Sequence, residues 1–216
     1  MPAWRSAAAA WWLAGASVLA GVATWLAWPP QTVEALMGEA GPVERVTAAS
    51  YALCAAAVWV ARRPGDDQRS ILALAVVMAG FCMRELDWHK AFTGTTVLRL
   101  SWYWGPAEPG AKALAGLVVL TVALALGWLL WRHGRAVVRG AWQRRDPVAV
   151  TVLVFVVVLV VSKSLDRSVG ILKDELGVVV PMRWTALRSA LEEWMELALA
   201  LLVLLGLVQH RAARPR

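Results

Sequence analysis

Residues 113–131 read ALAGLVVLTVALALGWLLW, a run of nineteen positions without a charged side chain. As a helix, about 20 such residues cross the roughly 30 Å of hydrocarbon in a lipid bilayer. Residues 7–28 form a second uncharged run of sufficient length. These two stretches predict a helical protein that crosses a membrane.

The composition of the whole chain favours the same class. Of its 216 residues, 59% are hydrophobic and 17% are charged. Soluble domains average about 45–50% apolar and about 25% charged residues, so a typical soluble globular domain is excluded. The net charge of +7 is spread between the apolar runs. This distribution indicates the topology of a membrane protein, whose partner is the lipid bilayer. It does not indicate nucleic-acid binding.

Four shorter uncharged runs, at 46–61, 70–83, 147–162 and 197–208, complete the predicted fold. We expect an all-α protein, a polytopic transmembrane bundle of six helices in one membrane domain that covers residues 1–216. The predicted helices are 7–28, 45–62, 69–88, 112–132, 147–165 and 186–209.

The basic residues between these helices predict the orientation. The termini and the segments 62–69 and 132–146 together carry 12 Lys or Arg residues. The other segments carry 7, once three that belong to helix ends, Arg84, Lys163 and Arg188, are set aside. By the positive-inside rule, we expect both termini in the cytoplasm and a location in a bacterial inner membrane.

The four shorter runs need polar residues at one end to complete a span, and for 70–83, 147–162 and 197–208 this polar end is on the outer side. Residues 197–208 measure roughly 18 Å as a helix, so this span must draw Glu192, Glu193 and Glu196 inward. Ionisable groups at such depth normally face the bundle interior and pair with one another. We therefore expect an outward-facing polar pocket between the third, fifth and sixth helices. The candidate residues are Arg84, Glu85, Asp87, His89, Lys163, Asp166, Arg188, Glu192, Glu193 and Glu196.

This cluster admits several interpretations. It holds the helices together by ion pairs, or it binds a polar ligand, a lipid headgroup or a partner membrane protein. Alternatively, a divalent metal held by Glu85, Asp87, His89 and Glu192 activates water against a lipid amide or ester. Asp87 reaches that site only if its helix unwinds after Leu86. A further alternative is proton or ion translocation by the same carboxylates.

Two connecting segments are long enough to form elements with a function or a structure of their own. Residues 91–111 are long for a turn between helices and are a candidate lid or binding loop. Residues 169–183 are predicted to form a short surface helix that ends at Gly177. Both segments would lie above the predicted pocket.

Arg84-Glu85-Leu86-Asp87-Trp88-His89-Lys90, followed by Glu192-Glu193 before a Leu-rich helix, resembles a pattern of uncharacterised bacterial multipass inner-membrane proteins. That resemblance implies the fold and no activity. Asp87 and His89 are also similar in kind to residues of the alkaline-ceramidase-like membrane hydrolases. This second similarity implies a zinc-dependent hydrolysis inside a helical bundle.

Overall fold

The computed structural model describes residues 3–38, 41–88, 90 and 100–213, and every regular element among them is helical. The α-helices are α1 (Ala8–Ala27), α2 (Pro30–Met37), α3 (Pro42–Ala61), α4 (Gln68–Glu85), α5 (Leu100–Trp104), α6 (Pro109–Arg139), α7 (Pro147–Asp174) and α8 (Met182–Ala212). A 3-10 turn at Ala3–Arg5 precedes α1, and a π-helical turn at Gly140–Arg144 continues α6. The all-α class is confirmed.

Local sequence explains where several helices begin. Proline stands in the first turn of four of them, where its missing N–H is not needed: Pro30, Pro42, Pro109 and Pro147. Asp67 caps α4 by accepting a hydrogen bond from the Arg69 backbone N–H at 3.1 Å. Asp146 caps α7 in the same way, with the Ala149 N–H at 3.0 Å.

The structure differs from the sequence prediction at several helices. Helix α6 runs to Arg139, beyond the predicted residue 132, and α8 begins at Met182, before the predicted residue 186. Helix α4 ends at Glu85, before the expected residue 88, because Asp87 adopts a left-handed backbone conformation with φ 50°. Helix α7 continues to Asp174, so residues 169–174 extend it and do not form a separate surface helix. No proline interrupts that stretch, and the chain turns only at Gly177, where φ is +64°. The eight-residue helix α2 was not predicted.

Four helical stretches are long and apolar enough to cross a membrane: Ala8–Ala27, Pro30–Ala61, Pro109–Arg144 and Pro147–Lys173. Helix α6 is the most exposed of the long helices, and Ala115 is its single buried residue within the described part of the chain. Its exposed side chains are mostly leucines, such as Leu117 and Leu124. A face of this kind is suited to contact with lipid.

Helix α8 is the centre of the bundle. It packs against α1, α2, α3 and α7, whereas α4 packs on α3 and α6. Alanines on α8, including Ala186, Ala190 and Ala200, are fully buried and permit close approach of its neighbours. On α1, a Cβ atom at Gly21 would lie 3.0 Å from the Leu191 Cα, so the backbones of α1 and α8 nearly touch there.

The bundle has two distinct ends. At the first, the Gln209 side chain donates to the Trp4 carbonyl at 3.0 Å and Arg63 donates to the His210 carbonyl at 3.2 Å. The first and the last described residues therefore lie at this end, which we call the terminal end. At the opposite, distal end, Trp25 and Trp184 stack with ring centroids 5.8 Å apart.

Candidate functional site

Three charged residues of α8 form one face of that helix. Arg188, Glu192 and Glu196 are spaced four residues apart, which places them one above another. Arg188 Nη1 lies 2.7 Å from Glu192 Oε2. These residues occupy the distal half of α8, and each of them also contacts a neighbouring helix.

Helix α4 contributes Arg84, which joins two carboxylates. Its Nη2 atom lies 3.0 Å from Glu196 Oε1, and its Nη1 atom lies 3.1 Å from Glu85 Oε1. Arg84 occupies the last turn of α4, where a cation interacts favourably with the helix dipole. The guanidinium therefore links the end of α4 to the middle of α8.

Helix α7 contributes Lys163 and Asp166, which contact the charged residues of α8. Lys163 Nζ is in direct contact with Glu196 Oε1 and lies 3.7 Å from Glu192 Oε1. One turn further along α7, Asp166 Oδ1 lies 3.6 Å from Arg188 Nη1. Glu196 thus receives a cation from α4 and another from α7.

Helix α2 extends this chain of contacts through residues that the sequence analysis missed. Arg188 Nη2 donates to Ser189 Oγ at 3.1 Å, and Ser189 Oγ donates to Glu34 Oε1 at 3.1 Å. Glu34 was overlooked because it belongs to the short helix α2, which has no long apolar run. We call the connected set the ion-pair network: Glu34, Arg84, Glu85, Lys163, Asp166, Arg188, Ser189, Glu192 and Glu196.

Acids and bases are not equally exposed in the ion-pair network. The side chains of Glu85 and Glu196 are each 2% exposed, and that of Glu192 is 11% exposed. The side chains of Arg84 and Lys163 are 39% and 31% exposed. The exposed part of Lys163 is its carbon chain, because its Nζ atom is buried. Glu85, Glu192 and Glu196 are therefore more buried than Arg84, although Asp166 is exposed beside Arg188.

An aromatic layer borders the ion-pair network toward the terminal end. Tyr51 stacks on Phe81 with ring centroids 5.1 Å apart, and Phe81 meets the edge of Phe155 at 6.2 Å. Tyr51 also donates its hydroxyl to the Glu196 carbonyl at 3.3 Å. The hydrophobic core beyond this layer includes Met78 and Leu199.

Three candidate residues are not assigned to the ion-pair network. Asp87 accepts a hydrogen bond from Lys90 Nζ at 2.9 Å. His89 lies outside the described residues. Glu193, one residue after Glu192, lies on a different side of α8.

These positions bear on the predicted metal site. Of its four candidate ligands, Glu85 and Glu192 are each paired with a cation of the network, while Asp87 faces Lys90. Within the described ranges, no group of three or more His, Cys, Asp or Glu residues is placed to hold a metal ion. The predicted lid, residues 91–111, is described only from residue 100, where α5 begins.

A separate polar cluster lies at the terminal end. His133 Nε2 lies 2.7 Å from Ser70 Oγ, and His210 Nε2 lies 3.0 Å from Asp66 Oδ2. Partial burial raises the pKa of Asp66, but hydrogen bonds from His210 and from the Arg63 N–H outweigh it and hold that pKa below its ordinary value. The His210 contact joins the α3–α4 turn to the last turn of α8, and the His133 contact joins α4 to α6.

Comparison of the chain with known protein families, with curated proteins and with solved structures finds no match. Any functional conclusion therefore depends on the chemistry of the ion-pair network itself.

Proposed function

We propose that the chain is an integral inner-membrane protein with six spans, three of which, α4, α7 and α8, contribute most of the ion-pair network. Helices α4 and α8 are not among the four stretches selected by length and apolarity. Their charged residues, however, meet partners on other helices: Arg84 with Glu196, and Glu192 with Lys163. Charges that pair inside a bundle are tolerated within membrane spans, so both helices qualify as spans.

The proposed orientation places the termini in the cytoplasm and the ion-pair network toward the periplasm. The excess of Lys and Arg in the segments of the terminal end supports this choice. A reporter that is active only in the cytoplasm, fused to the C-terminus, should be active. An inactive fusion that is present in the membrane fraction would show that the C-terminus is not in the cytoplasm, and the proposed orientation would be wrong.

Within this arrangement, we propose that the ion-pair network binds a phosphate-bearing lipid headgroup. The observation that carries the proposal is the layering of charge, with the buried Glu85 and Glu196 behind the more exposed Arg84. These two carboxylates hold the Arg84 guanidinium in place, and its remaining N–H groups are donors for an anion. In addition, Arg188 Nε is buried without a hydrogen-bond partner in the described part of the chain.

The aromatic layer favours binding over conduction. A conducting path needs polar groups from one side of the membrane to the other. Between the ion-pair network and the terminal end lie Tyr51, Phe81 and Phe155, and beyond them an apolar core. A ligand that enters from the distal end would therefore stop at this layer.

The test compares lipid binding by two double variants in detergent micelles. Arg188→Gln/Glu192→Gln removes one ion pair from the ion-pair network without changing the net charge. Glu175→Gln/Arg183→Gln is the matched control, because it makes the same charge changes at exposed positions of the distal end. Far-UV circular dichroism establishes that both variants are folded.

Calorimetric titration with short-chain phosphatidylglycerol should show at least about tenfold weaker binding for the network variant only, which corresponds to about 1.4 kcal/mol. Equal affinity of both variants would refute the network as the binding site. Titration with inorganic phosphate tests whether the ligand is a lipid headgroup or a soluble phosphate. If phosphate alone bound as tightly as the lipid, the ligand would be a soluble anion and the lipid assignment would be wrong.

A further inference from the structure

An open recess of about 400 Å³ lies on α6 toward the terminal end, and it is lined by Trp128, Trp131 and Arg132. The centroids of the two indole rings are 5.4 Å apart. Trp131 is 76% exposed, and Arg132 is also exposed. The recess therefore presents aromatic surface and a guanidinium group side by side.

Hydrogen bonds to α4 hold one wall of the recess in place. Trp128 Nε1 donates to Ser70 Oγ at 3.3 Å, and Ser70 donates its hydroxyl to Asp67 Oδ2 at 2.8 Å. Because that hydroxyl has a single proton, His133 Nε2 is the donor in its 2.7 Å contact with Ser70 Oγ. The Ser70 oxygen is thus fully hydrogen-bonded, and it fixes the Trp128 ring before any ligand binds.

A second guanidinium group adjoins the recess from α4. Arg69 lies over the Trp128 ring, 5.7 Å from its centroid. Neither Arg69 nor Arg132 forms an ion pair within the described part of the chain. Asp67 interacts electrostatically with Arg132, but its oxygens accept hydrogen bonds from the Arg69 backbone N–H and from Ser70. Both guanidinium groups therefore have N–H donors available for an anion.

An apolar strip leads along α6 to the recess. Its side chains follow one another at intervals of three or four residues: Leu117, Leu120, Leu124, Trp128 and Trp131. Side chains with this spacing lie along one side of a helix. The three leucines are 61%, 54% and 64% exposed. Because α6 is long and apolar enough to cross a membrane, the leucines are suited to contact with acyl chains, and the tryptophans to the level of the headgroups.

These features match the successive parts of a phospholipid. An acyl chain fits the exposed leucines, the glycerol region fits the indole rings, and a phosphate fits the two guanidinium groups. A soluble anion would use the guanidinium groups alone and leave the apolar strip uncovered. Two cations beside one carboxylate also favour a headgroup with net negative charge over a zwitterionic one.

We infer that the recess binds an anionic phospholipid of the leaflet at the terminal end, with Arg69 and Arg132 donating to its phosphate. The inference rests on α6 crossing the membrane. It does not depend on the ligand proposed for the ion-pair network, which occupies the distal half of the bundle.

Photochemical labelling of the full-length protein in detergent micelles tests the site. The probe is phosphatidylglycerol with a diazirine at the glycerol end of one acyl chain. After irradiation and digestion, mass spectrometry should locate the label between Leu124 and Arg132. Phosphatidylcholine with the same diazirine is the control for contact with lipid in general, and it should label this segment at least about fivefold less, the effect of one cation near an anionic lipid surface.

Two double variants identify the residues that are responsible. Arg69→Gln/Arg132→Gln should reduce labelling of the segment by phosphatidylglycerol at least about fivefold. Arg139→Gln/Arg144→Gln is the matched control, because it removes two exposed arginines of the same end that do not line the recess, and it should label like the wild type. All four positions are exposed, and far-UV circular dichroism establishes that both variants are folded.

Three results would overturn the inference. The first is equal labelling of the segment in the two double variants. The second is equal labelling by the two lipids in the wild type, because the strip would then contact lipid without selecting a headgroup. The third is loss of labelling in excess inorganic phosphate at constant ionic strength, since the occupant would then be a soluble phosphate. Labels at the distal end of the bundle report separately on the ion-pair network.

Discussion

Glu196→Gln and Glu193→Gln make the same chemical change on one helix, three residues apart. The structure predicts a large loss of folding stability for the first and a small change for the second. Glu196 contacts both Arg84 and Lys163, and its side chain is 2% exposed. Removal of one member of a buried ion pair costs about 3–5 kcal/mol, because the partner is left as an uncompensated charge. Arg84 is partly exposed and can regain some hydration, so we expect the lower end of that range, about 3 kcal/mol.

Glu193→Gln should change the free energy of unfolding by less than about 1 kcal/mol, because no described cation pairs with Glu193. The difference between the two variants is then about 2 kcal/mol, or roughly thirtyfold in the unfolding equilibrium constant. Titration with sodium dodecyl sulfate in mixed micelles, followed by circular dichroism, measures both values under identical conditions. Equal losses of stability, or a larger loss for Glu193→Gln, would refute the assignment of ion pairs on α8.

Two further predictions concern the packing of α1 and the terminal end of the bundle. Gly21→Ala should be about 1–3 kcal/mol less stable than Gly15→Ala, because the new methyl group meets the Leu191 backbone at Gly21 and nothing within 4 Å at Gly15. Both values come from the same detergent titration, and equal stabilities would contradict the close approach of α1 and α8. Asp66→Asn should cost at most about 1 kcal/mol at neutral pH. Because the pKa of Asp66 is lowered on folding, this difference should shrink as the pH falls below about 4, the ordinary Asp value, and pH-dependent unfolding would measure it. A difference that stayed constant from neutral to acidic pH would exclude the His210–Asp66 contact as its source.

The helical class and most of the candidate residues followed from simple patterns in the sequence. Uncharged runs predicted the long helices, and the shortage of apolar residues near Glu196 indicated which charges lie inside the bundle. The four-residue spacing of Arg188, Glu192 and Glu196 predicted that they share a face. Helix α2 could not be predicted in this way, because it has only eight residues, begins at the second of two consecutive prolines and contains no long apolar run. Glu34 of α2 is therefore recognised as part of the site only from its hydrogen bond with Ser189 in the structure.

The sequence by itself determined that the protein is helical and that α4, α7 and α8 carry charge into the bundle. It did so because hydrophobicity and helical periodicity are properties of consecutive residues. Only the tertiary structure decided which charges meet. Arg84 and Glu196 are 112 positions apart in the chain, and no local pattern links them. The contrast between Glu196, which has two cations, and Glu193, which has none among the described residues, depends on which neighbouring helix each side chain faces, and that is a property of packing alone.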